Sequence, residues 1–179
     1  MPTDPAAVPE ALLLTGTVGA GKTSVATRIG ELLASAGVPN AVIDLDALCD
    51  SWPPPVDDPF NTRVMLANLR SVVLNYRAAG VNRFVLAGVV ENAEERDRCA
   101  AALGAELLVC RLRVDLDTNH ARLRARHANE PHRLPWYLKR SGELADLLDR
   151  ARVEDFTLDT TDRPVGELAT SVLERARTL

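Results

Sequence analysis

Apolar residues along this chain fall into short continuous runs that alternate with longer stretches in which they recur every three or four positions. The runs are Ala11–Leu14, Ala41–Ile43 leading into Asp44-Leu45-Asp46, Phe84–Val90 after Arg83, Leu107–Val114 after Glu106, and Phe156–Leu158 inside Glu154–Asp159. Such runs suit strands covered on both faces. The spaced sets suit helices that bury one stripe. They are Val25, Ile29, Leu32 and Leu33; then Val64, Met65, Leu69, Val72 and Val73; then Leu138, Leu144, Leu147 and Leu148 within Trp136–Arg152; then Val165, Leu168, Val172 and Leu173. Two further helices are expected, over Ala93–Leu103 and from a cap at Asp117 or Thr118 through His127. Gly37 and Gly80 suit helix ends. Pro131 breaks the fourth helical pattern, and Pro164 suits the first turn of the last helix. Residues 51–60 are too rich in proline for a helix interior and read as a stiff loop. Residues 1–9, with Pro2, Pro5 and Pro9, read as a loose tail. Strand–helix alternation repeated five times calls for an α/β fold: a parallel sheet with helices on both faces and right-handed crossovers.

One stretch changes this from a fold into a chemistry. Gly16-Thr17-Val18-Gly19-Ala20-Gly21-Lys22-Thr23 fits G-x-x-x-x-G-K-[ST], between the first run and the first helical stripe. Glycines let backbone N–H groups turn inward around a phosphate, and the following helix adds its free N–H groups, including that of Ser24, and its positive dipole end. Lys22 is placed for the β- and γ-phosphates and Thr23 for Mg²⁺. The second run ends in Asp44-x-Asp46. Positions i and i+2 of a strand share a face, so both acids are expected in one cleft, near metal and acceptor; the same acids also suit the cap of a turn at Ala47-Leu48. The third run ends without an aspartate, leaving Glu91 either to the cleft or to the next helix N-terminus.

Other positions leave two readings open. Trp52 and Phe60 wall a substrate pocket or anchor their loop to the core. Arg63 and Arg70 hold an anionic group of a substrate or are solvated. Arg122, Arg124, Arg126 and Arg133 concentrate in a segment of about 118–135, which reads as a lid whose guanidiniums meet base and phosphate, or as a solvated basic face. His120, His127 and His132 lack the spacing of a metal site.

Composition narrows the classes. At 179 residues with 46% hydrophobic and 26% charged residues, the chain reads as a single globular domain, 1–179. A net charge of −4 argues against nucleic-acid or anionic-membrane partners. The three scattered cysteines, Cys49, Cys99 and Cys110, suit apolar filler in a reducing cytosol. No bilayer-length apolar run and no signal-peptide pattern is present, and a cytoplasmic location is expected.

The phosphate loop, the Asp44-x-Asp46 pair, the Arg122–Arg133 segment and the final strand-loop-helix from Phe156 resemble the P-loop small-molecule kinases. Shikimate kinase, gluconate kinase, adenylylsulfate kinase and chloramphenicol phosphotransferase form the group. The resemblance runs from Leu12 to Leu173, with the phosphate loop its specific part. It implies the three-layer P-loop NTPase fold with sheet order 2-3-1-4-5, and transfer of the γ-phosphoryl of ATP, with Mg²⁺, to a small-molecule hydroxyl. By that resemblance Lys22 stabilises the transferred group, Thr23 ligates Mg²⁺, Asp44 helps hold it through water, and Asp46 orients or deprotonates the acceptor. Arg126 lies by the adenine, Arg133 is the lid arginine, and Thr160–Pro164 edges the base. The implied partners are a nucleotide and a small acceptor (metabolite, nucleoside or antibiotic), with the chain a monomer or homodimer. Two departures stand out. The glycine triplet that shikimate kinases carry after strand three reads Ala87-Gly88-Val89 here, and the proline-rich loop after Asp46 is more similar to antibiotic-resistance proteins of the tunicamycin type. The alternative is a nucleotide-dependent protein that sequesters a ligand or regulates without turnover. No N-K-x-D motif supports a GTPase switch.

Overall fold

The structure, a computed structural model, describes residues 8–179. Five strands, β1 (Ala11–Thr15), β2 (Asn40–Asp44), β3 (Arg83–Ala87), β4 (Leu107–Arg113) and β5 (Phe156–Asp159), form one parallel sheet in the order β2-β3-β1-β4-β5. The helices between and after them are α1 (Lys22–Ser35), α2 (Leu45–Leu48), α3 (Thr62–Ala78), α4 (Ala93–Leu103), α5 (Leu116–Arg126), α6 (Leu134–Ala151) and α7 (Val165–Ala176).

The continuous apolar run of β1 has its reason in this layering. Leu12 and Leu14 pack with Ile29, Leu33, Leu168 and Val172 of α1 and α7, while Ala11 and Leu13 pack with Leu69, Val73, Cys99 and Leu103 of α3 and α4. Alternate side chains of a strand point to opposite faces, so a strand with a helix layer on each side must be apolar throughout. β1 lies between β3 and β4, and ligands of such sheets bind beyond the carboxyl ends of the strands. Burial pushes the Cys99 thiol up to about 11 and that of Cys110 to about 12, in keeping with cysteines that fill space.

Several boundaries differ from the sequence reading. β2 stops at Asp44, and Leu45–Leu48 turn into the short helix α2. Asp44 therefore caps a helix, accepting from Asp46 N–H at 3.0 Å, and Asp46 reaches its place from a helix rather than from the strand face. β3 stops at Ala87, ahead of Gly88 and Glu91. The cap of α5 is Asp115, whose carboxylate accepts from Thr118 N–H at 2.8 Å, because β4 ends sooner than its apolar pattern. α6 begins at Leu134, with Pro135 in its first turn. Pro164 is the N-cap of α7 rather than a residue of its first turn. Of the expected tail, residues 1–7 lie outside the described residues, and Val8 is buried in the core beside α1 and α7.

Arg111 is a charged residue inside a central strand. It is buried, with Asp149 at 2.9 Å and the Ala145 carbonyl at 3.2 Å, both on α6. A paired, hydrogen-bonded arginine is tolerated in such a place, and this one fixes α6 against the sheet. Among the described residues, no helix is long and apolar enough to cross a membrane.

Gly88 lets α2 approach the end of β3: a methyl group there would meet Leu45 Cβ at 2.8 Å and Cδ1 at 2.7 Å. Overpacking of this kind costs about 1–3 kcal/mol. Gly88→Ala is therefore expected to lower stability by about that amount in denaturant unfolding. An unchanged midpoint would mean that α2 gives way freely.

Candidate functional site

The loop between β1 and α1 turns on glycines. Gly16, Gly19 and Gly21 have φ of 148°, 85° and 93°. At Gly19 an added Cβ would lie 2.3 Å from Asn119 Oδ1 and 3.2 Å from Leu123, so α5 packs directly on the loop. No side chain caps α1, and no acid stands in its first turn, so its first N–H groups face outward with the dipole uncompensated. Thr17 is buried and donates its hydroxyl to the Ser141 carbonyl of α6 at 2.6 Å. Arg122 is spent on the adjoining loop, donating to Thr160 O at 2.8 Å and Thr160 Oγ1 at 3.3 Å, and the Thr160 hydroxyl in turn reaches Ala20 O at 3.4 Å.

Lys22 donates to Gly16 O and Thr17 O, both at 3.0 Å. Burial lowers its pKa; Arg126 acts in the same direction, while Asp46 and Asp44 oppose. Thr23 Oγ1 donates to Asp44 Oδ2 at 3.0 Å, so one Asp44 oxygen holds the threonine and the other caps α2. Asp46 stands beside them with its pKa raised, chiefly by desolvation and further by Asp44, against the pull of Lys22. Cys49 closes the turn, its thiol donating to Asp46 O at 3.2 Å.

All of this opens on one cleft of about 1050 Å³. Val18–Ser24, Asp44, Asp46 and Arg126 line it; Gly16 and Thr17, expected with them, do not. Phe60 and Glu91 also line it. Trp52 does not and is 90% exposed, so it neither walls the pocket nor anchors the loop. That work falls to Asn61, which donates to Cys49 O at 3.0 Å and Ser51 O at 2.9 Å, and to Asp58, which accepts from Thr62 and Arg63 N–H at 2.8 and 3.0 Å. Arg63 pairs with Asp57 at 2.8 Å outside the cleft, and Arg70 does not line it. Arg133 also lies outside the lining, with Glu130 at 3.3 Å and its guanidinium over Tyr137 at 5.8 Å. His127 is buried and stacks on Tyr137 at 4.1 Å.

The residues that sequence reasoning missed sit on α6. Trp136, Tyr137, Arg140 and Leu144 face the cleft, and Arg140 bridges Glu91 at 2.5 Å and lies 5.5 Å over the Phe60 ring. Their helical spacing is readable in the sequence, and Leu144 of the expected leucine stripe lies on this same cleft-facing side.

Comparison with solved structures places this arrangement. The Acinetobacter baumannii shikimate kinase, solved with shikimate, has a TM-score of 0.62 at 19% identity, covering 96% of this chain and 94% of that one. The Mycobacterium tuberculosis APS kinase, solved with AMPPNP and APS, has 0.60 at 24%, covering 93% and 96%. The Deinococcus radiodurans tunicamycin resistance protein has 0.65 at 18%, covering 93% and 95%. The chain has the fold of the P-loop small-molecule kinases. No protein-family model and no curated sequence matches it. In the sheet β3 separates β1 from β2, and it is α1, packed along β2 with Gly30 against Val42, that brings Thr23 to Asp44 across 21 residues of chain.

A side chain at position 19 would strain a φ of 85° as well as strike Asn119. The free protein relieves this only by reshaping the loop, a change that a phosphate chain seated in the loop would have to reverse. Strain of about 1–3 kcal/mol corresponds to about 5- to 150-fold in affinity. Gly19→Ala is expected to weaken ATP binding within that range by calorimetry, and unchanged affinity would show the loop to be dispensable.

Proposed function

We propose that this chain is an ATP- and Mg²⁺-dependent phosphotransferase of a single cytoplasmic domain, carrying the γ-phosphoryl group to a hydroxyl of a small molecule. The observation that carries this reading is the meeting of the glycine loop, the Thr23–Asp44 pair and Asp46 in one cleft that continues to Phe60, Trp136 and Arg140.

The residues fit both groups. The uncapped end of α1, without acids in its first turn, fits a phosphate chain. Thr23 and Asp44 offer hard oxygen ligands and would hold Mg²⁺. A Mg²⁺ ion held by one or two protein oxygens takes its remaining ligands from substrate phosphates and water. When bound, that metal neutralises charge on the β- and γ-phosphate oxygens.

Lys22 would turn its ammonium from the loop carbonyls toward the transferring oxygens. Asp46 would accept the proton of the attacking hydroxyl, a role that its raised pKa favours. Gly16–Ser24 would cradle the phosphates, and Arg126 would lie along the nucleotide. Arg133 would join them on closure of the turn that precedes α6, excluding water from the phosphoryl group.

γ-Labelled ATP with Mg²⁺ and a pool of hydroxylated compounds is expected to give a labelled product. Lys22→Ala should reduce it by ~100-fold or more, the scale of a lost transition-state donor. Nucleotide and ligand binding without any labelled product would instead indicate sequestration. A base must be deprotonated to act, so kcat/KM should fall as pH drops through the Asp46 pKa, above the usual aspartate range. Asp46→Asn should abolish that limb; a limb unchanged in the variant would remove Asp46 from the role.

A further inference from the structure

We infer that the acceptor is an uncharged or cationic hydroxylated compound that carries an apolar ring, rather than an anionic metabolite. This rests on the phosphotransferase reading for its meaning, and on the far end of the cleft for its argument. There, on the β2–β3 side, the lining carries Asp50, Glu91 and Glu95 against Arg140, while Lys22, Arg122, Arg126 and Arg163 line the cleft from the phosphate loop and the β4–β5 side. Arg140 is already engaged. It bridges Glu91 at 2.5 Å, lies 3.8 Å from Glu143, and covers one face of Phe60. A carboxylate, sulfate or phosphate on the acceptor would have to displace Glu91 from it while meeting the other acids.

Asn61 supplies an independent observation. It lines the cleft, is 5% exposed, and spends its side-chain N–H₂ on the Cys49 and Ser51 carbonyls. Two carbonyl partners fix which amide atom is nitrogen, and Oδ1, buried and without a partner, remains an acceptor. A buried acceptor gains from an O–H or N–H donor and is opposed by an anionic oxygen. The apolar requirement comes from Phe60 and Trp136, which line the same end and are 63% and 58% exposed. Such surface is covered at low cost by a flat ring.

The test uses matched pairs that differ in charge: a nucleoside against its 5′-carboxylate, and an aminocyclitol against the corresponding carboxycyclitol. Binding is read by calorimetry on the full chain loaded with a non-hydrolysable ATP analogue and Mg²⁺, and transfer is read separately with labelled ATP. The uncharged or amine-bearing member is expected to bind on the order of tenfold or more tightly than its anionic partner. Glu91→Gln, which releases Arg140, should narrow that gap by about threefold to tenfold. An anionic member that binds as well as its partner, or no binding by any uncharged or cationic compound, overturns the inference. Label passing to an anionic acceptor leaves the phosphotransferase reading standing and overturns the acceptor class. The expected preference without labelled product keeps the ligand class and overturns transfer alone.

Discussion

The first N–H groups of α1 are accepted by no side chain, and the chain reaches them only by a turn that places three glycines at positive φ. An exposed dipole end and a loop without room for a side chain at Gly16 or Gly19 are both unfavourable in isolation. They persist because the surroundings over-determine them. β1 delivers the loop from the centre of the sheet, Asn119 and Leu123 of α5 press on it from one side, and Thr17 is bonded to α6. The remainder of the site is arranged around that fixed point.

Asp44 shows how closely the parts are tied. Its two oxygens serve different elements, Thr23 at the start of α1 and the N–H of Asp46 at the start of α2. The position of the second acid therefore follows from the same carboxylate that meets the threonine hydroxyl. The capping role and the cleft role of this residue are one arrangement, where the sequence offered them as alternatives.

The layered fold was legible because β1 and β3 are apolar on both faces and because the helical stripes between them are unbroken. The phosphate loop was legible because its spacing is specific. What escaped was set by contacts distant in sequence. The capping alternative put a turn at Ala47-Leu48; that the strand ends already at Asp44 stays hidden because Leu45 continues the apolar run while serving α2. Arg133 and Arg140 lie at the start of α6 and within it, and attachments distant in sequence, Arg111 to Asp149 and the Ala145 carbonyl and Thr17 to the Ser141 carbonyl, decide how α6 is turned, and so which arginine faces the cleft. The absence of Trp52 from the cleft follows likewise from Asn61, whose two long-range bonds shape the proline-rich loop.

The bond from Thr17 to α6 ends on a main-chain carbonyl. Its partner is a feature of the backbone, and substitution along α6 does not remove it. The helix thus has an inner attachment that is indifferent to its sequence and an outer row, at 136, 137 and 140, that faces the cleft. In evolutionary terms, that row is free to diversify while the loop after β1 keeps its shape, so one wall of the cleft can change without rebuilding the other.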